Sequence, residues 1–300
     1  MIADPTSRRF RLAVAAVALA SAYALGASPR AQSPGLPLDA AAAAATSPLR
    51  LYVLDGGIMK QRDGVAYGLS LEQLPPRDLS DYAVLIVHPR GTLLWETGLN
   101  VSVNHTLPGA TLAPGSPRPG DRVDRPLVDQ LIAIGHPPAG ITYLALSHSH
   151  WDHTGNVGEF LRSTWLVQKA ERDLMFGGNP LRNREDFAGL EHSKTQVLEG
   201  DHDVFGDGSV RLLFTPGHTP GHQALLVTLP TTGGVLLSGD LYHFPEELTV
   251  RPAPTGRNAA QIAASMAKVQ ALIASTGAQL WIQHDARGYA KLRHAPAYYD

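Results

Sequence analysis

The sequence contains no cysteine. That excludes disulfides, thiolate nucleophiles, iron–sulfur clusters and every zinc site built on sulfur. It has no excess of one charge: 25 basic and 27 acidic residues leave a formal net charge of −2. A chain so balanced has no electrostatic footprint for nucleic acid, and no nucleic-acid partner is expected. Charged residues are sparse at 17% while hydrophobic ones reach 44%, which excludes a disordered chain and a charge-laced coiled coil. Long apolar runs are also missing. A membrane-spanning helix needs about 20 such residues, and the mostly apolar run Leu12 to Ala27 has 16.

That run follows Arg8, Arg9 and Arg11 and ends in small residues, Ala24, Gly26 and Ala27. It reads as an export signal over residues 1–31, cut between Gly26 and Ala31, which predicts a periplasmic or secreted protein. An uncleaved anchor is the alternative. Ser7-Arg8-Arg9 is a loose match to the twin-arginine export route. No stable membrane insertion is expected after cleavage. Residues 32–49 carry Pro34, Gly35, Pro37, Pro48 and six consecutive alanines from Ala40, the composition of a linker. Residues 50–300 remain as a single folded domain, long enough to bury one sizeable core.

Within that domain, short β-rich runs alternate with amphipathic stretches. Leu51 to Leu54 predicts a strand ending in a turn at Asp55-Gly-Gly57, and Tyr82 to Val87 with Thr92 to Trp95 predicts a hairpin around Pro89-Arg-Gly91. Residues 104–126, with five prolines and three glycines, read as an irregular excursion. A short helix is expected from Pro126 to Ile134, with proline at its start and Gly135 after its end. Further strands are expected at Ile141–Leu146, Trp165–Gln168, Val210–Phe214, Gln223–Leu229, Val235–Leu237 and Leu280–Gln283, with a helix at Ala170–Phe176. Residues 177–200 are polar and poorly periodic. The longest helix is expected over Asn258 to Ser275, where Ile262, Met266, Val269 and Ile273 form one apolar stripe. This alternation predicts an α/β or layered α+β fold, sheets covered by helices.

What the sequence has in quantity is histidine, 13 residues, and several stand where predicted strands end. One such strand runs into His148-Ser-His150-Trp-Asp152-His153, and three others into His218, Asp240 and His284. In an extended loop, residues two apart point the same way, so His148 and His150 can converge on one ion. Asp152 and His153 can turn towards a second. Burying three imidazoles and a carboxylate within six residues is costly without a cation to hold the rings neutral. The donors are all nitrogen and oxygen, which suits two divalent ions, zinc first, with Fe²⁺, Mn²⁺ or Co²⁺ open. Gly217, Gly221 and Gly239 can form tight turns beside these residues. His222, four residues after His218, is expected to support the site and not to bind metal.

The series His148-x-His150-x-Asp152-His153, then His218, Asp240 and His284, resembles the signature of the metallo-β-lactamase superfamily. The resemblance covers roughly residues 50 to 300 and implies an αββα sandwich with its metals at one edge of the sheets. It implies His148, His150 and His218 on one metal, Asp152, His153 and His284 on the other, and Asp240 bridging. Such a site implies a hydrolase in which a hydroxide shared by the metals attacks the substrate, with Asp152 orienting it and passing its proton to the leaving group.

The stretches Thr215-Pro-Gly-His218-Thr-Pro-Gly-His222-Gln223, Gly239-Asp240-Leu-Tyr242-His243-Phe244 and Trp281-Ile-Gln-His284-Asp285 are similar to the N-acyl-homoserine lactonase branch. That implies opening of an acylated lactone, a small-molecule ester. The branch carries a tyrosine three residues after its bridging aspartate. Here His243 stands at that place and Tyr242 one residue earlier. Tyr242 is the expected hydrogen-bond donor to the substrate, with His243 as the alternative. An acyl groove is expected among Gly57–Lys60, including Met59, Leu107–Leu112 and Leu174–Phe176. A β-lactamase, a glyoxalase-II-like thioesterase or another ester hydrolase of the same fold is the competing reading; the acid at position 240 argues against the first. A metal-free binding protein with a degenerate site is the non-enzyme alternative.

Overall fold

A computed structural model describes residues 49–65, 68–106, 116–178, 184–249 and 258–300. The export signal, all but the last residue of the linker, and the groove candidates Leu107–Leu112 lie outside the described residues.

Apolar side chains alternate along the strands, and each face of each sheet is buried by a different partner. The first sheet holds β1 (Arg50–Arg62), β2 (Arg77–His88), β3 (Gly91–Trp95), β4 (Tyr143–Ala145), β5 (Thr164–Gln168) and β6 (Thr195–Leu198), in that order. The second holds β7 (His202–Asp203), β8 (Val210–Phe214), β9 (Gln223–Leu229), β10 (Gly233–Leu237) and β11 (Gln279–Trp281), ordered 11-10-9-8-7. Val84 and Ile86 of β2 join Leu225 and Val227 of β9 in one core between the sheets. Ala83 and Leu85 face the opposite way, under helix α1 (Leu127–Ala133), and Met175 of α3 (Lys169–Phe176) closes the same outer layer; α2 (Trp151–Thr154) lies between these helices in the chain. Phe187 of α4 (Arg184–Phe187) lies in that layer too. On the far side, Ala224 and Leu226 pack with Val269 of α5 (Ala259–Thr276). The result is the expected sandwich of two sheets with helices outside.

The predicted hairpin is β2–β3, paired antiparallel from His88↔Gly91 to Val84↔Trp95. Helix α1 starts after Pro126, and α5 is capped by Asn258, whose side chain accepts from the Gln261 N–H. Met266 and Ile273 pack partly buried beside Val269, as their spacing predicts. Two expectations fall short. β1 does not stop at Asp55 but passes through a bulge between Asp55 and Ile58 and continues to Arg62. Residues 195–198, in the stretch without clear periodicity, form the edge strand β6.

Strand direction is what gathers the site. β10 pairs antiparallel with β9 and parallel with β11, and β8 pairs antiparallel with β9. β8, β10 and β11 therefore all end at the same edge of the second sheet. The residues singled out above follow those ends within four positions.

Candidate metal centre

His148, His150, Asp152 and His153 lie just beyond β4, His218 beyond β8, Asp240 beyond β10 and His284 beyond β11. The structure brings all seven together in two groups: His148, His150, His218 and Asp240, and Asp152, His153 and His284. In the first group, His148 Nε2 lies 2.7 Å from His150 Nδ1 and 3.0 Å from His218 Nε2, and His218 Nε2 lies 3.1 Å from His150 Nδ1. Three imidazole nitrogens facing one another so closely cannot all be satisfied by protons between them. Nitrogens bound tetrahedrally to zinc at about 2.0–2.1 Å stand about 3.3 Å apart. The donor set fits a cation.

Asp240 joins the groups. Its Oδ2 lies 3.2 Å from His218 Nε2 and 3.6 Å from His148 Nε2. Its Oδ1 lies 3.0 Å from His284 Nε2 and 3.2 Å from His153 Nε2. Each oxygen serves one group, the geometry a bridging carboxylate requires. Asp152 Oδ2 stands 3.6 Å from His284 Nε2 and 3.7 Å from His153 Nε2, on the second group's side only.

The electrostatics follow from burial and charge. Burial opposes charge on Asp240, but His284, His243, His153 and His218 hold its carboxyl well below the usual range. Burial also opposes protonation of His153, yet Glu96, Asp240 and Asp152 hold its pKa well above the ordinary value. His284 is likewise pushed up to about 9, against burial, chiefly by Asp240. His148 goes the other way, lowered by burial and by the neighbouring rings of His153, His150 and His218.

Supporting residues fix the ligand-bearing loops. His222 accepts the Asp240 backbone N–H at Nε2 (3.0 Å), and its Nδ1 faces the Thr215 carbonyl at 3.0 Å. It holds Asp240 from behind, as expected for a residue that binds no metal, and burial drops its pKa to about 3. Gly239 has φ +50°, and a Cβ there would come 2.5 Å from Ser147 and 2.8 Å from His222. The strand-end turn thus depends on glycine.

Two acids were not found by the sequence reading. Glu96, at φ +65° after β3, accepts the Ser147 N–H at 3.0 Å, and its other oxygen lies 3.2 Å from His153 Nδ1. A left-handed backbone at a non-glycine residue is a strained conformation that marks such positions. Glu171 of α3 accepts from the backbone N–H of Ser149 and Gly221 and from the Thr219 hydroxyl.

Tyr242 must be corrected. Its hydroxyl accepts from Gln270 of α5 at 3.2 Å, and its ring lies in the layer between the second sheet and that helix. It faces away from the donors, because the chain runs extended at Tyr242 and successive side chains alternate. His243 is the residue that turns inward, with Nε2 3.1 Å from Asp240 Oδ2. The groove candidates divide similarly. Met59 joins an apolar cluster with Leu99, Val103 and Phe244, against which Trp151 packs. Met175 and Phe176 belong to the outer layer, where Phe176 meets Trp165 and Phe187 edge to face, so these two of the Leu174–Phe176 candidates are packing and not groove.

Residues 76–276 match the metallo-beta-lactamase superfamily. The N-acyl homoserine lactonase AttM of Azorhizobium caulinodans is 33% identical over 280 residues, 84% of this chain and 99% of that protein. The N-acyl homoserine lactonase AiiA of Bacillus thuringiensis subsp. kurstaki is 27% identical over 226 residues, 74% of this chain and 87% of its own. A solved N-acyl homoserine lactone hydrolase with N-hexanoyl-L-homoserine at its catalytic metal centre shares the fold at TM-score 0.68 and 24% identity, over 83% of this chain and 98% of that one. Fold, donor set and sequence agree: the chain belongs to the metallo-beta-lactamase superfamily and is a metal-dependent hydrolase.

Proposed function

We propose that this protein opens the lactone ring of N-acyl-homoserine lactones, using two zinc ions held by His148, His150 and His218 and by Asp152, His153 and His284, with Asp240 between them. The observation that carries this reading is the match to a lactonase along 99% of that relative's length. The all-nitrogen-and-oxygen donor set supports zinc.

Two divalent ions in this site would lower the pKa of water to about 7 and so supply a nucleophile at neutral pH. The chain's own part is to place and hold. Asp240 aims one oxygen at each donor group, and His222 fixes its backbone. Asp152, at 7% exposure, stands at the edge of the second group, where it can orient the attacking water and take up its proton. Water adds to the ester carbonyl, the ring C–O bond breaks, and the leaving oxygen receives the proton that Asp152 held. The product is a hydroxy acid, which ionises. The buried apolar cluster of Met59, Leu99, Val103 and Phe244 packs against Trp151 and so braces the metal loop.

The same reading takes the protein to be exported. The support is the basic, apolar and small-residue order of residues 1–31, and N-terminal sequencing of the mature protein would then start beyond Gly26. The first test of the activity is proton release from a medium-chain N-acyl-homoserine lactone by zinc-loaded protein. Fast release that a chelator abolishes is expected. Two bound metals per chain with no release would sink the lactonase reading and leave β-lactams, thioesters or other esters.

A further inference from the structure

Asp81 is an acid with 0% exposure, and it belongs to neither donor group. It lies on β2, where the residues that follow it, Tyr82 to Ile86, are all buried in apolar clusters. An apolar side chain would serve packing there. Instead the carboxyl Oδ1 accepts from Gln283 Nε2 at 2.5 Å, and Oδ2 has no hydrogen-bond partner among the described residues. A dry carboxyl oxygen costs desolvation free energy that packing does not return. The acid sits opposite the bulge of β1 between Asp55 and Ile58, where a Cβ on Gly56 would come 2.6 Å from the Asp81 carbonyl oxygen.

Its partner Gln283 is held at both ends. The side-chain amide donates to Asp81, and the Gln283 carbonyl accepts from the Ser80 hydroxyl at 2.7 Å. The next residue is the metal donor His284, whose Nδ1 lies 3.0 Å from the Ser80 carbonyl. A carbonyl only accepts, so Nδ1 carries the hydrogen and Nε2 is the nitrogen left to a cation. That Nε2 faces Asp240 Oδ1 at 3.0 Å and Asp152 Oδ2 at 3.6 Å. Two residues of β2, in the first sheet, thus grip two residues beyond β11, in the second, 202 to 204 positions away. Burial pushes the Asp81 carboxyl well above the usual range, and the charges it meets there are those of His153, Asp152 and His284, the whole second donor group.

We propose that Asp81 is a positioning residue for the second metal: through Gln283 it fixes the backbone from which His284 projects, and so the direction in which Nε2 meets the ion. This rests on the two-metal reading of the site and not on the lactone. An imidazole binds a cation along one lone pair, so a loop free to turn spreads that direction and weakens the ion. Ser80 orients the ring itself, whereas Asp81 acts one residue earlier, on the chain that carries the ring. His148, His150 and His218 come from other loops, which confines the effect to the second group. The unpartnered oxygen is thus a stability cost tied to the placing of one ligand.

The test measures the zinc affinities of the full chain by competition with a chelating dye. The ion that His284→Ala weakens most marks the second group. Gln283→Met, and the paired variant Asp81→Val with Gln283→Met, are expected to weaken that ion about tenfold and the other less than about threefold. Asp81→Asn keeps an oxygen for the Gln283 amide and is expected to stay within about threefold of wild type. The paired variant exchanges both polar partners for apolar groups of similar bulk, so its metal-stripped form should melt within about 3 °C of the wild-type one. A merely structural pair would do the reverse, lowering that Tm and leaving the ratio of the two affinities unchanged, and this result overturns the proposal. Wild-type affinity for the second ion in the paired variant overturns it too. So does an Asp81→Asn as weak as the paired variant, because the amide hydrogen bond would then not be the route. A wild type that binds two ions but opens no lactone sinks the lactonase reading alone, since the affinities still decide Asp81. A wild type that binds fewer than two overturns the two-metal reading and this proposal together.

Discussion

Asp240 faces five imidazoles with two oxygens, Oδ1 towards His153 and His284 and Oδ2 towards His148, His218 and His243. An amide at this position keeps one acceptor and turns an NH₂ donor towards the other group. Asp240→Asn should therefore keep one metal tightly, lower the bound count from two to about one, and reduce kcat about 100-fold or more, with the circular dichroism spectrum unchanged. Metal content and rate retained together would refute the bridging role. The donors themselves could be read from spacing because each follows a strand end, where the chain is rigid up to the last paired residue. His243 and Tyr242 could not be told apart that way. Gly239–Leu241 is a tight helical turn, and the chain becomes extended only at Tyr242. A count of residues from Asp240 does not say where alternation begins, so the inward side chain was decided by that turn and by Glu247, five to seven positions of local geometry that no spacing rule encodes.

Between residues and sheets, the ligand loops are held by side chains from other elements. The Gln223 N–H, directly after the β8–β9 loop, donates to the Ser147 carbonyl of the loop after β4 at 3.0 Å. Glu171 of α3 adds a side-chain clamp nearer the donors: it accepts from Ser149 on one loop and from Thr219 and Gly221 on the other. The approach is so close that a Cβ at Gly221 would fall 2.1 Å from the Glu171 nitrogen. Burial raises the Glu171 pKa against these hydrogen bonds. Glu171→Ala leaves two buried backbone donors without an acceptor, at a cost of about 1–3 kcal/mol each. The expected outcome is a drop in unfolding free energy of about 2–4 kcal/mol together with weaker binding at the first metal, measured by denaturant titration and competition with a chelating dye. Equal metal affinity in the variant would show that the loops need no clamp. Nothing in the sequence around Glu171 signals this role, because its partners lie 22 to 50 residues away. The same distance dependence hid the edge strand β6. Gln196 and Val197 are exposed there, and only pairing to β5 makes the segment a strand. β1 was read short for a different reason: Gly56 and Gly57 look like a turn, but Gly56 lets the strand pass where a Cβ would sit 2.6 Å from the Asp81 carbonyl.

At the scale of the whole chain, the donors come from both sheets. His148, His150, Asp152 and His153 follow a strand of the first sheet, while His218, Asp240 and His284 follow strands of the second. The core between the sheets joins them by apolar contact, and each metal group adds a second join at the open edge. His148 and His150 of one sheet meet His218 of the other, and Asp152 and His153 meet His284. An ion bound in either group is therefore a cross-link between layers and acts on global stability, not only on the rate. Ligand held at 100 times its dissociation constant stabilises by about 2.7 kcal/mol per site. For a domain of this size, 1 kcal/mol moves the melting temperature by about 2–4 °C. Stripping both ions with a chelator should then lower Tm by about 10–20 °C, and zinc added back at two equivalents should restore it. A single added equivalent separates the two joins: if they are independent, Tm rises about half-way, whereas coupling through Asp240 makes the second equivalent contribute more than the first. A Tm indifferent to chelation would mean that the apolar core alone sets the spacing of the sheets and that the edge is held without metal. Coupled recovery would place Asp240 at the centre of the molecule's stability as well as of its chemistry, because the carboxylate that each group shares is then the route by which one join strengthens the other.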